Sequence, residues 1–221
     1  MKSAAIFGGT GLIGSKLISE LNMNPTYAQI FSFERNREPN SLGKLEILPL
    51  SGEHISFPST PIDSVFCCIG TTMKKAGTRN AFRAVDYDLV LKIAQAAKAN
   101  GVNNFVVVSS IGANAKSKNF YLKVKGEMEQ SLSKIGFERL VIVRPSLLLG
   151  KRNETRFSEG LGKILFRIFS FLFVGSLAKY KGIEAHDVAK AMIFAAQNSS
   201  EKIIVLESNN LQDIADEYTN R

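Results

Sequence analysis

The sequence predicts an α/β domain of the doubly wound kind, a parallel sheet covered by helices on both faces. Three observations predict it. Continuously apolar runs such as "SAAIFG", "DSVFCCIG", "NNFVVVSS" and "RLVIVRPS" alternate with segments whose apolar residues recur at helical spacing. No internal repeat or linker divides the 221 residues, a length that fits one domain spanning 1–221. The first apolar run also ends in a glycine cluster, "FGGTGLIG", that opens directly into a helical pattern. Sheets of this kind bind ligands at the carboxyl ends of their strands, near the switch point.

Taken in order, "SAAIFG" reads as the first strand, "GLIGSKLISELN" as a helix leaving the turn, and "YAQIFSFE" as the second strand. A polar, proline-containing stretch follows, with room for at most one short strand around "LEILPL". "DSVFCCIG" is the next buried strand. Phe82, Val85, Leu89, Ile93 and Ala96 form a helix stripe that Gly101 is placed to stop. "NNFVVVSS" is a strand, "NFYLKVKGEMEQSLSKIG" a helix, and "RLVIVRPSLLLG" a strand ended by Pro145. "HDVAKAMIFAAQN", "EKIIVLE" and a short terminal segment complete the pattern as helix, strand and helix.

Composition narrows the function classes. At 45% hydrophobic residues the chain supports a substantial core and is not a disordered one. The 28 basic residues against 20 acidic ones are dispersed, and neither a nucleic-acid-reading motif nor a tryptophan is present, so no nucleic-acid partner is expected. Cys67 and Cys68 are adjacent on a strand and point to opposite faces, which excludes a disulfide between them. Two histidines and no spaced Cys/His cluster leave little support for a metal. The amino terminus lacks the pattern of a secretory signal, and the longest apolar run, 164–178, is interrupted by Arg167 and is shorter than a bilayer span. A cytoplasmic protein with no integral membrane span is therefore expected. Segment 151–181 is read as a substrate-pocket or partner-facing insertion, its Phe-rich composition suiting either an apolar substrate or a partner surface, with 157–178 the stretch through which a protein partner or dimer would dock.

The glycine turn carries the first functional expectation. Gly9, Gly11 and Gly14 satisfy G-x-G-x-x-G, while Gly8, Gly11 and Gly14 satisfy G-x-x-G-x-x-G. Both permit a tight turn, close approach of a pyrophosphate and close helix–strand packing, with free N–H groups at the helix start facing the phosphates. Gly8, Gly9, Thr10, Gly11, Leu12, Ile13 and Gly14 are accordingly the expected dinucleotide-binding turn. The second strand ends in "FERNRE". Glu34 suits a ribose 2′-hydroxyl and so NAD(H), whereas Arg35 and Arg37 suit a 2′-phosphate. NADP(H) is favoured through Arg35, with NAD(H) the alternative.

The second expectation is reactive. Ser109 and Ser110 end a strand at the same sheet edge as the glycine turn, and the next helix brings Tyr121 and Lys125 onto one face, four residues apart. A free phenol titrates at about pH 10, and an adjacent ammonium stabilises its phenolate. A serine hydroxyl can hold a carbonyl oxygen within the phenol's reach.

With those motifs in view, the chain resembles the short-chain dehydrogenase/reductases, specifically their atypical branch. "GGTGLIG", "FCCIGTT", "FRAVDYD", "VVVSSIGA", "FYLKVKGEME", "RPSLLLG" and "HDVAKAM" are similar to successive motifs of the HIV Tat-interacting-protein type of NAD(P)-binding oxidoreductase. The resemblance implies a Rossmann-type fold and hydride transfer between nicotinamide and a small carbonyl or alcohol substrate. It makes Tyr121 the acid/base, Lys125 the ribose-binding and phenol-activating residue, and Ser110 the carbonyl-orienting hydroxyl, with Ser109 the fallback. It places Gly70 and Thr71 beside the dinucleotide and Pro145 at the border of the nicotinamide. One departure stands out. Many relatives carry an asparagine in a proton relay where this chain has Asp86, which leaves Asp86 as either a helix-surface group or a cofactor-side contact. The alternative reading is a non-catalytic dinucleotide-sensing regulator similar to the NmrA type. A sugar-nucleotide epimerase is the third reading, against which stand the roughly 70 residues that follow Gly150.

Overall fold

A computed structural model describes residues 1–35, 37–50, 55–150 and 181–220. The strands β1 (Lys2–Phe7), β2 (Tyr27–Glu34), β3 (Asn40–Leu42), β4 (Leu45–Pro49), β5 (Ser64–Cys67), β6 (Asn104–Val108), β7 (Arg139–Arg144) and β10 (Ile203–Glu207) form one sheet. Their order is β10-β7-β6-β5-β1-β2-β4-β3. All neighbours run parallel except β3 with β4. Two short strands, β8 (Leu148–Leu149) and β9 (Ile183–Glu184), pair separately. This is the expected doubly wound, Rossmann-type sheet.

The chain leaves β1 outward to β2 and returns on the other side of β1 as β5, so the switch point lies between β1 and β5. Phe7 pairs with Cys67, and Cys67 with Val107, so these carboxyl ends are level. Helices α1 (Leu12–Met23), α6 (Ala185–Asn198) and α7 (Ser208–Thr219) supply Leu17, Met192 and Leu211 to one core layer, which also takes Ile6 and Phe66. Helices α4 (Val90–Ala99) and α5 (Phe120–Ser133) supply Ile93, Met128 and Leu132 to the opposite layer, with Phe7, Cys67 and Phe105. Cys67 packs in the second layer and Cys68 against the first, the strand alternation expected of neighbours. Both thiols are free.

Two details depart from the sequence reading. The polar stretch holds a second strand, because Leu42 pairs antiparallel with Leu45 across a Gly43–Lys44 turn. Gly43 adopts φ +61°, which a two-residue hairpin turn accepts readily only from glycine. The helix after β5 is also not regular. Short helices α2 (Met73–Ala76) and α3 (Arg79–Arg83) lead into a π-helical turn at Ala84–Leu89 before α4 continues. Val85, Leu89 and Ala96, expected in the core, are only half-buried, while Phe82, Asp86, Val90, Ile93 and Ala97 are fully buried. The π turn carries a carboxylate on the buried face.

Segment 151–181 falls outside the described residues except for its last residue, and the partner-facing stretch 157–178 falls outside them entirely. Among the described residues no helix is long and apolar enough to cross a membrane, and no three metal-capable side chains cluster.

Candidate active site

Glycine is required where the turn after β1 meets the switch point. Gly8 has φ +87°, and a Cβ there would lie 2.8 Å from the carbonyl carbon and oxygen of Cys68. A Cβ on Gly14 would lie 2.1 Å from the Gly8 carbonyl oxygen, so α1 sits directly on the turn. Gly9 is packed as closely, 2.4 Å from Ser32 Oγ by the same measure. The Gly11 N–H donates to the Gly8 carbonyl at 3.0 Å, and Gly11 caps α1 in extended conformation. These contacts form a cradle that side chains would fill, the geometry a pyrophosphate needs.

A groove of about 540 Å³ opens above this turn. Of the residues expected to touch a dinucleotide, Gly8, Thr10, Gly11, Leu12, Arg35 and Gly70 line it. Gly9 and Gly14 support the turn from behind, and the Ile13 side chain is buried in the core, which leaves the backbone of Ile13 in the first turn of α1 as the part that can face a ligand. Pro145 is buried and its carbonyl accepts from the Ile111 N–H at 3.1 Å, which ties the loop after β6 to the end of β7. Ser15, Lys16 and Ser19 line the groove unanticipated. Their spacing from Leu12 was the available signal, because 12, 15, 16 and 19 share one helical face.

At the end of β2 the two signals separate. Glu34 is buried, accepts from Ser32 Oγ at 2.9 Å and pairs with Arg37 at 3.4 Å, whereas Arg35 lines the groove.

The side expected to carry the chemistry is rich in ionic side chains. Helix α5 starts at the carboxyl edge, where Asn119 accepts the Leu122 N–H, and runs antiparallel to the strands. Tyr121 is half-buried on its first turn, with its ring 5.4 Å from that of fully buried Phe82. Gly126 lets α5 approach the loop before it, since a Cβ would lie 2.2 Å from the Ala115 nitrogen. One turn below Tyr121, Lys125 is buried, its Nζ 2.8 Å from Asp86 Oδ1 and 3.5 Å from the Val108 carbonyl. Asp86 is wholly buried, and its Oδ2 accepts the Thr71 N–H at 2.8 Å. Thr71 therefore spends its N–H inside the protein. Gly70 sits directly over the pair, its Cβ position 3.3 Å from Asp86 Oδ1 and 3.8 Å from Lys125 Nζ. Asp86 is thus neither a helix-surface group nor a direct lining residue. It is the counter-ion of Lys125.

The two serines also part. Ser109 is buried and donates to Glu129 Oε1 at 2.5 Å, while Arg144 grips the same carboxylate through Nε at 3.0 Å and Nη2 at 2.5 Å. That grip and Glu207 raise the pKa of Arg144 further, against the burial that lowers it. Ser110 is half-buried and makes only a 3.4 Å contact to the Ile111 carbonyl. Ser110 has the freer hydroxyl, and Ser109 is committed to holding the sheet edge together. Burial pushes the Cys67 thiol up to about 12, with Lys125 pulling it down and Asp86 pushing it up.

A sequence profile of the HIM1 family matches residues 26–170. The chain belongs to the HIM1 family. This is an atypical family resembling the short-chain dehydrogenase/reductases, as the motifs implied. Protein FMP52, mitochondrial, of Candida albicans is 36% identical, over 96% of this chain and 98% of that protein. Protein FMP52-1, mitochondrial, of Scheffersomyces stipitis is 34% identical, over 90% of each. These names overturn the expected cytoplasmic location, which rested on an amino terminus without a secretory pattern and so had no bearing on mitochondria. Among solved structures, MoeE5 in complex with UDP-glucose and NAD superposes with a TM-score of 0.68, over 99% of this chain and 82% of that one. At 14% identity this likeness establishes the fold.

Proposed function

We propose that this HIM1-family protein is an NADP(H)-dependent oxidoreductase acting on a small carbonyl or alcohol substrate. The observation that carries the reading is the position of α5 relative to the groove. Lys125 lies beneath Gly70, a groove residue, and Tyr121 stands one turn nearer the rim. A nicotinamide dinucleotide bound in the groove supplies hydride exchange with a substrate carbon. Tyr121 gives or takes the proton at its phenolic oxygen, Ser110 holds the substrate oxygen, and Lys125 faces the nicotinamide ribose. The preference for NADP(H) is supported by Glu34 being turned to Ser32 and Arg37 while Arg35 lines the groove. Segment 151–181 is the proposed substrate cover and 157–178 the proposed partner surface. The names of its relatives make the mitochondrion the proposed compartment.

The test is NADPH fluorescence across a panel of carbonyl compounds. A fall on addition of some member is expected, and Tyr121→Phe abolishes it without weakening NADPH binding. A panel without turnover favours a non-catalytic dinucleotide-binding protein, and a redox-sensing one only if NADPH and NADP⁺ also bind with different affinities. The observation behind that second reading is the Asp86 counter-ion, which offsets the Lys125 ammonium that would otherwise stabilise a phenolate.

A further inference from the structure

The buried pair beneath Gly70 has a consequence for how the site treats the two redox forms of its cofactor. A lysine at the reactive edge, standing alone, puts a positive charge under the nicotinamide. The oxidised ring is itself cationic and the dihydro ring is neutral, so a lone ammonium opposes the oxidised form. Here the ammonium of Lys125 has a carboxylate 2.8 Å away, both side chains are at least 96% buried, and no solvent screens them. The carboxylate is held in place from a third element by the Thr71 N–H, on the same loop as Gly70. Val85 and Leu89, which flank Asp86 in the π turn, line the groove themselves. A π turn at this point, in place of an α turn, sets a buried carboxylate against the site wall, a use that such turns often have.

We propose that Asp86 is a charge-compensating positioning residue: it neutralises Lys125 beneath the reactive edge and fixes the Gly70–Thr71 loop to α5. The site therefore accepts oxidised and reduced dinucleotide on nearly equal terms. The proposal rests on the groove binding a nicotinamide dinucleotide, and it holds whether or not the protein turns over a substrate.

The experiment measures dissociation constants of NADP⁺ and NADPH for the full chain and three variants, by calorimetry and by NADPH fluorescence. Intact protein binds the two forms within about tenfold of each other. Asp86→Asn leaves the ammonium uncompensated and shifts the ratio toward NADPH by about tenfold, as a unit charge a few ångströms away in a partly buried site requires. Lys125→Met leaves the carboxylate and shifts the ratio toward NADP⁺. Asp86→Asn combined with Lys125→Met restores the ratio of the intact protein, although both affinities are lower. A purely structural role weakens both forms alike in every variant, and that result overturns the proposal. If neither single variant folds, two measurements remain. A preference of the intact chain for either form above about tenfold overturns the proposal, as does a shifted ratio in the double variant. Failure of the intact chain to bind either form overturns the reading of the groove and this proposal together. Binding with an unmoved ratio overturns this proposal alone.

Discussion

The two sides of the sheet's carboxyl edge are built from different materials. On the β1–α1 side the wall is backbone, with Gly8, Gly9 and Gly14 in contacts that leave no room for a Cβ. On the β6–α5–β7 side the wall is side chains, in two buried ionic groups: Asp86 with Lys125 and Thr71, and Glu129 with Arg144 and Ser109. The glycines of the first wall lie in one short stretch of sequence, and an added Cβ there meets the backbone of Gly8 or Cys68 or the side chain of Ser32. The second is assembled from elements distant in sequence, and it fails by leaving a charge behind. Close packing of backbone suits a ligand whose phosphates need N–H groups. A reacting carbon instead needs groups that move protons and carry charge, and those can only come from side chains.

That contrast is tested first where the ionic wall is most committed. Glu129→Ala removes the carboxylate that Ser109 and Arg144 share and leaves a guanidinium whose side chain is only 23% exposed. Glu207, 3.9 Å away, compensates it weakly. Loss of about 3 kcal/mol of stability is expected in urea denaturation, because breaking a buried pair strands its partner. A loss near zero would mean that the ionic wall is decoration. Next in size come matched insertions of one methyl group on each side. Gly14→Ala drives a Cβ into the Gly8 carbonyl, and Gly126→Ala drives one into Ala115 and Asn114. Each is expected to cost about 2 kcal/mol by overpacking. Their functional consequences differ: Gly14→Ala loses NADPH binding in a fluorescence titration, whereas Gly126→Ala binds NADPH but displaces Tyr121 and loses turnover. Identical losses of binding would erase the distinction between the walls.

The same contrast explains what the sequence disclosed. Strands β1 and β2, the glycine turn and α5 were legible because each is coded locally, by apolar runs, by glycine spacing or by the Tyr121–Lys125 interval. The β3–β4 hairpin was missed, though Gly43 signals it, because three exposed residues in β3 give no apolar pattern. The burial of Asp86 was not legible at all. The helical stripe was read through Val85 and Leu89, and only the π turn, together with a lysine from another helix, makes a carboxylate acceptable on the buried face. Only the family resemblance ranks Ser110 ahead of Ser109, and for a similar reason the residues themselves give no physical ground for the ranking. Their fates are decided by Glu129, a residue of the next helix that periodicity alone marks as just another charged position.

Cofactor choice puts a smaller effect on the backbone side. Arg35 is the groove-facing cation at the end of β2, and Arg35→Ala should weaken NADPH by about tenfold while leaving NADH nearly unchanged. Equal losses for the two cofactors would remove the ground for preferring NADP(H) and would return the role of ribose reader to Glu34.

The smallest effect separates adjacent hydroxyls. Ser109→Ala takes one donor from Glu129 and leaves Arg144 bound to it, so a loss of about 1 kcal/mol is expected in denaturation, with turnover retained. Ser110 has only a long contact to the Ile111 carbonyl to lose, so Ser110→Ala should leave stability within about 0.5 kcal/mol of the parent and reduce turnover. The two measurements together form a cross. If Ser109→Ala proves stable but inactive, the hydroxyl held by Glu129 is released to the substrate during the reaction. The second ionic group would then belong to the chemistry and not only to the wall that supports it.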